Sequence, residues 1–493
     1  MTFCGSRHRA PNYGLRYKGE GKTDREGDCP RVESFRRYLY LFKTGMQTLE
    51  KVRSQVDALQ ETISFQNKWV VAILLSAGAA IDYQARMAIN SVFPLLRKEL
   101  AMTDIQIGLT ATLFLWTYGL LSPVAGYIGD RFSRRTVLIG SITCWNVVTI
   151  LSGLARSPWQ LIAMRIILAS AQVCYMPTAQ ALVTDFHGKE TQGKAIGIFQ
   201  AGCYIGIFLA GLPAAYVATH LGWRVMLLLS GGIGLVVAGL MSALPGEKTG
   251  RVSAMQPRGE HPQRTSVGGA VSLFGKPTIL AIMVAFSLAS GALWILFTFL
   301  PLFIYEHYHL SLELAAFQAT FYMQATAMVA DPLLGHVSDK WSARNAKNRF
   351  LFCAFAGFVG LPALAAVGFG NHAPTLIMGL VLFGMVSAAM DISMMPMLSY
   401  VTSQYQRATG FGYLNMAACL AGGLSAMVTA LTMKKYGLGP LIASGGGMFF
   451  LLALVLVVAA MAFLHRDFLL ESSDESVRQE GVAVVAESGV SNP

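Results

Sequence analysis

The chain has 493 residues, of which 54% are hydrophobic and only 13% charged, with 49 glycines. Those proportions exclude an ordinary water-soluble globule and leave a bilayer as the solvent. The formal charge of +11 concentrates in a tail and a few polar connections, as orientation in a membrane requires, so it calls for no nucleic-acid partner.

Residues 1–33 are rich in Gly, Arg, Lys and Pro, show no cleavable leader and are expected to be disordered. From Ser34 to Gln66 the residues Leu49, Val52, Val56, Leu59 and Ile63 recur at spacings of three and four, the stripe of an amphipathic helix. That stripe could lie on the membrane surface or pair with another helix; a start of translation at Met46 is a further reading.

Beyond it the apolar runs are about twenty residues long and do not alternate, so they read as spanning helices and not as barrel strands. Twelve spans are expected, starting near Trp69, Ile105, Thr136, Pro158, Gly193, Gly222, Pro277, Leu314, Arg349, Ala373, Ala408 and Leu441. The expected organisation is a basic tail with its amphipathic helix (1–67), a six-helix bundle (68–245), a polar linker (246–276), a second six-helix bundle (277–466) and an acidic tail (467–493). Lys and Arg favour the tail, the linker and two charged hairpins, which puts both termini in the cytoplasm. Arg97, Lys98, Lys434 and Lys435 break that rule on the opposite side. The cysteines form no CxxC pair; Cys144, Cys174, Cys203, Cys353 and Cys419 fall within apolar helices and read as small core residues.

The two hairpins are Gly126-Tyr127-Ile128-Gly129-Asp130-Arg131-Phe132-Ser133-Arg134-Arg135 and Gly335-His336-Val337-Ser338-Asp339-Lys340-Trp341-Ser342-Ala343-Arg344. Each joins two apolar segments, so one half of the chain reads as a copy of the other. Ionisable residues inside spans are few: Asp82 and Arg86 in the first, Arg165 in the fourth, Asp331 in the eighth and Asp391 in the tenth. Such groups face a cavity or a partner, because hydrocarbon does not solvate them. Two guanidinium forks at similar depth invite a carboxylate or phosphate. The plainer reading of Arg86 is an ion pair with Asp82 one turn away, and the two roles can coexist. For Asp331 and Asp391 it is a helix-to-helix hydrogen bond. Gly202 and Gly206 give the fifth span a small-residue face for close packing. Tyr83, Trp116, Tyr204, Trp294, Tyr322, Gln324 and Asn415 could line a cavity, each alone being as well explained by packing. Gly21-Lys22-Thr23 lacks the earlier glycine of a phosphate loop, and the histidines lack ligand spacing, so neither an enzyme, a cofactor nor a metal is expected.

The duplicated hairpin resembles the signature of the major facilitator superfamily, which implies an all-α membrane protein of twelve transmembrane helices in two pseudo-symmetric six-helix bundles. The resemblance implies a conformational latch at Gly126, Asp130, Arg131, Arg134 and Arg135, and less firmly at Gly335, Asp339 and Arg344, because Lys340 stands where the pattern prefers Arg. The run from Arg86 to Leu100, Arg165 with Tyr175-Met176-Pro177, and Gly412-Tyr413-Leu414-Asn415 are similar to the anion:cation symporter family. That implies a small organic anion, such as a carboxylate, held by Arg86 and Arg165, with a proton or sodium ion as coupling partner; Tyr83, Gln172 and Asn415 are further candidates to border it. Two positions depart from the family pattern. Ala85 stands where an acid usually precedes the first arginine, and Gln172 where the fourth span usually carries a glutamate. An amide cannot cycle a proton. A facilitator, an anion exchanger, and coupling through Asp82, Asp331 or Asp391 therefore all stay open. The same motifs resemble spinster-type transporters of lysolipids and related amphiphiles, and a membrane sensor on the same scaffold is a further alternative. A monomer in the cell membrane, in contact with lipid, is expected.

Overall fold

Polar residues at the loop ends start the helices as the caps of isolated helices do. Thr103 and Gln106 form a reciprocal capping box at the head of one helix, and Ser133, Ser157 and Ser311 each accept a backbone N–H at the head of others. The computed structural model describes residues 68–187, 191–243, 275–402 and 407–467, apart from the side chains of Gly126, Tyr127, Gly129, Asp130 and Ala408. The amphipathic segment 34–66, nearly all of the 246–276 linker and the tail beyond Asp467 lie outside these residues.

In chain order the helices are α1 (Lys68–Ser91), α2 (Phe93–Glu99), α3 (Asp104–Arg131), α4 (Arg134–Ser152), α5 (Pro158–Gln172), α6 (Tyr175–Phe186), α7 (Gln192–Ala210), α8 (Leu212–Leu221), α9 (Trp223–Ser242), α10 (Pro277–His307), α11 (Leu312–Ser342), α12 (Lys347–Phe369), α13 (Ala373–Ser399), α14 (Arg407–Tyr436) and α15 (Leu438–Val458), which continues into a wider turn, Ala459–Phe463. No strand occurs among the described residues. Three expected segments are divided. Pro94 opens the short α2 just after the first span; the fourth span breaks between Gln172 and Tyr175, and the fifth at Gly211 before Pro213. Helix heads lie within about three residues of the expected starts, the usual play at fraying ends.

Eleven of these stretches are long and apolar enough to cross a membrane. The exception is the expected eighth span, α11: it is 31 residues long, but Gln318, Gln324, Asp331, His336, Asp339 and Lys340 lower its hydropathy. Outward-facing helix surfaces are apolar, as at Val236, Phe355 and Met461, 64%, 67% and 76% exposed. A lipid environment accounts for them. Cys203, Cys353 and Cys419 are buried as expected, whereas Cys144 is exposed on its helix, a correction to the core reading of that residue.

Within the first half α7 lies directly against α1. A Cβ added at Gly202 would fall 2.2 Å from the Ser76 carbonyl oxygen, and one at Gly206 would fall 2.3 Å from that of Ala80. Ser76 Oγ bonds the Ile198 carbonyl across the same seam at 2.8 Å. The small-residue face thus brings two backbones together, and it sets the position of the α1 turn that carries Asp82 and Arg86.

The halves meet along α3 and α14, where Thr112 donates to the Gly423 carbonyl at 2.8 Å and Trp116 to that of Leu420 at 3.0 Å. At the end away from the charged hairpins, Asn90 donates to the Phe297 carbonyl at 3.0 Å. Arg97 there bridges Asp104 at 2.5 Å and Glu306 at 2.6 Å, and Lys434 stands 3.9 Å from Asp104. The basic residues that broke the charge rule therefore include two that join the halves. Partly exposed pairs contribute about 0.2–1 kcal/mol each, so Glu306→Gln is expected to raise the population open at this end by up to ~5-fold. The labelling rate of a cysteine placed at Asn90 by an impermeant maleimide reads that shift; an unchanged rate rejects a gating role for Arg97.

Candidate anion site

Arg86 lies on the buried face of α1, 7% exposed, and its Nη2 donates to Asp82 Oδ2 at 2.9 Å. The pair expected from the i, i+4 spacing is present. Aromatic rings surround the guanidinium, with Tyr118 centred 4.7 Å away, Tyr83 5.0 Å and Phe114 5.4 Å, the geometry of cation–π contact. Arg165, 4% exposed, stands over Phe114 at 4.5 Å. Both guanidiniums thus address one ring of α3, and their separation is well under the ~15 Å beyond which one small anion could not reach both forks.

The two arginines differ in partners. Arg165 Nη2 donates to the Arg86 carbonyl at 2.9 Å and Nη1 to that of Ala85 at 3.3 Å; among the described residues no carboxylate pairs with it. Its Nε, the Nε of Arg86, Asp82 Oδ1 and Gln172 Oε1 are buried without a hydrogen-bond partner. Gln172, fully buried, donates to the Asp82 carbonyl at 3.1 Å, and the Tyr175 hydroxyl donates to the Leu75 carbonyl at 2.8 Å. The break after α5 permits this: Arg165 and Gln172 point at α1 from α5, and Tyr175 does so from α6. Three side chains thus bond to α1 carbonyls, at Leu75, Asp82, Ala85 and Arg86.

Other expected site residues fall elsewhere. Asn415 donates to Ser122 Oγ at 3.3 Å, pinning α14 to α3, and is not among the contacts of the arginine pair. Asp331, half-buried, accepts from the Tyr204 hydroxyl of the other half, while Asp391 on α13 is exposed. Of the latch residues, the side chains of Gly126 and Asp130 are outside the described set. Arg134 pairs with Asp185 and Arg135 donates to the Ser242 carbonyl. In the second hairpin Asp339 pairs with Arg349, which also bonds Ser342, while Arg344 is exposed. The partner of Asp339 is thus Arg349, read from the sequence only as the head of the ninth span, while Arg344 lies beyond the end of α11 at Ser342. Apart from the arginines, α11 and α13 line an apolar groove of about 490 Å³ with Phe321, Tyr322, Val329, Leu333 and Met385. No group of acids, histidines and cysteines suited to a metal occurs among the described residues.

Two helical halves joined face to face, with charged groups buried in the spans, define a polytopic helical membrane protein. The chain belongs to the Major Facilitator Superfamily, whose model matches residues 75–426. It is 26% identical over 373 residues to the "Probable sulfoacetate transporter SauU" of Cupriavidus necator, covering 72% of this chain and 85% of that one. It is 25% identical over 182 residues to "Protein spinster homolog 1" of Xenopus laevis, covering 36% of this chain and 35% of that one. The chain thus matches only about a third of the length of that spinster relative. The fold is also that of the crystal structure of a bacterial homolog to human lysosomal transporter, spinster, with a TM-score of 0.65 and 20% identity, covering 83% of this chain and 98% of that one.

Proposed function

We propose that this protein carries small organic anions across the membrane by alternating access, with Arg86 and Arg165 holding the anion. The observation that carries this reading is Arg165, a buried cation whose hydrogen bonds all go to backbone carbonyls. Carbonyls orient a guanidinium but do not neutralise it, and a low-dielectric interior makes an unbalanced charge costly. An incoming carboxylate or sulfonate removes that cost and accepts from the unused Nε groups. The name of the Cupriavidus relative, a sulfoacetate transporter, agrees with an acid of this size. Tyr83 borders the bound anion, Gln172 holds the α1 turn beneath it, and Asn415 acts at the seam between halves.

The hairpin residues Gly126, Asp130, Arg131, Arg134 and Arg135, with Gly335, Asp339 and Arg344, act as the latch at the other end, and both termini face the cytoplasm of a monomer. Asp130→Asn is expected to raise cysteine accessibility at the hairpin end, since it removes a negative charge from a hairpin otherwise rich in arginine. Unchanged accessibility and uptake reduce the hairpin to a topological signal.

The apolar groove on α11 favours a second reading, an amphiphile whose chain lies against Phe321 and Leu333 while its acidic head meets an arginine. A thermal-shift screen separates the two, because a ligand of the folded state raises the melting temperature. Compact organic acids are expected to do so and lysophospholipids not; the reverse outcome favours the amphiphile.

A further inference from the structure

Formal charge at the arginine site does not balance. Among the described residues, the ionisable groups that face Asp82 and the two guanidiniums are Tyr83 on α1, Tyr118 on α3, Tyr175 on α6, Cys203 on α7 and Cys419 on α14. From α9 the neutral Ser230 accepts from Gln84 Nε2 on the same α1 segment at 2.8 Å. Phenols and thiols are neutral near neutral pH. The charges that remain are Asp82, Arg86 and Arg165, so the site has one positive charge in excess when Asp82 is ionised.

A monoanion cancels that excess. A dianion overshoots it and would leave a net negative charge in a buried place, which is strongly disfavoured. Asp82 is positioned to take up the difference. It is fully buried, its Oδ2 holds Arg86 at 2.9 Å, and its Oδ1 has no partner. A proton from solution that bonds to Oδ1 neutralises the carboxylate, weakens its hold on Arg86 and frees that fork for the ligand's second anionic group. Gln172 cannot serve in this way, since its amide has no proton to exchange and is already donating to the Asp82 carbonyl.

We propose that the site takes a monoanion without a proton and a dianion together with one proton on Asp82, so that ligand charge sets the coupling stoichiometry. The inference rests on the arginine pair being the anion site. On release the steps reverse: the dianion leaves, Arg86 returns to Oδ2 and the proton departs from Oδ1.

Calorimetric titration of the purified protein in two buffers of different ionisation enthalpy counts protons taken up on binding. Methanesulfonate serves as the monoanion and sulfoacetate as the dianion. The expected result is no proton with methanesulfonate and one with sulfoacetate, with sulfoacetate affinity falling up to ~10-fold per pH unit above the Asp82 titration. Equal proton uptake with the two probes overturns the charge rule while leaving the anion site standing. Failure of both to bind overturns the anion site itself, and the inference with it. Asp82→Asn should bind sulfoacetate without proton uptake; uptake retained in this variant assigns the proton to another group and rejects Asp82. The two-probe comparison on the unmodified protein decides the matter if that variant does not fold.

Discussion

Arg165→Lys is expected to lower anion uptake by at least ~10-fold while the protein still folds and inserts. The guanidinium spans two carbonyls, with Nη1 on Ala85 and Nη2 on Arg86, and keeps Nε for a ligand. A single ammonium retains the charge but cannot cover that fan of acceptors. Losing one hydrogen bond to a charged group costs about 1.5–3 kcal/mol, and about 1.4 kcal/mol is already tenfold. Initial uptake rates in proteoliposomes, read beside the melting temperature in detergent, separate a site effect from a folding effect. Uptake at the unmodified rate would remove Arg165 from the site.

Gly206→Leu is expected to have the largest effect on stability, and Gly202→Leu nearly as large. A side chain at Gly206 meets the Ala80 backbone, and one at Gly202 meets the Ser76 carbonyl as well as its Oγ, so no rotamer change relieves the overlap with the carbonyls and the helices must separate. A cost of about 3 kcal/mol or more follows, seen as loss of monodisperse protein or a markedly lower melting temperature. Gly140 is the control, because an added Cβ there meets nothing within 4 Å; Gly140→Ala should be neutral or slightly stabilising. A well-behaved Gly206→Leu protein would mean that the α1–α7 seam does not depend on close approach.

How far these features could be read from the residues alone depended on where the partner lies. The spans were legible because hydrocarbon imposes a run of apolar residues and a helix. The Asp82–Arg86 pair was legible because both partners sit on one helix at a fixed spacing. Gly202 and Gly206 were legible as a small-residue face, though not the helix it would meet. Arg165 stood out as a charge in a span, but its partners are main-chain carbonyls, which carry no residue identity. Arg349 was missed for a different reason: its partner Asp339 lies in the preceding helix, and only the path of the chain past Ser342 brings them together. α11 shows the limit of composition, since the polar residues that take its hydropathy below that of its neighbours include Gln318 and Gln324, which are buried. The charge rule left Arg97 and Lys434 as exceptions and gave no sign of their use in joining the halves, because it counts basic residues and is blind to acids such as Asp104 and Glu306.

The most direct test of the central claim is counterflow in proteoliposomes preloaded with the organic acid that most raises the melting temperature. The account predicts that labelled acid enters faster than into protein-free liposomes, and that this entry is lost in the folded Arg86→Ala, Arg165→Ala double variant. Entry at the same rate in the double variant would contradict the arginine site, and binding without any entry would make the protein a sensor and not a carrier.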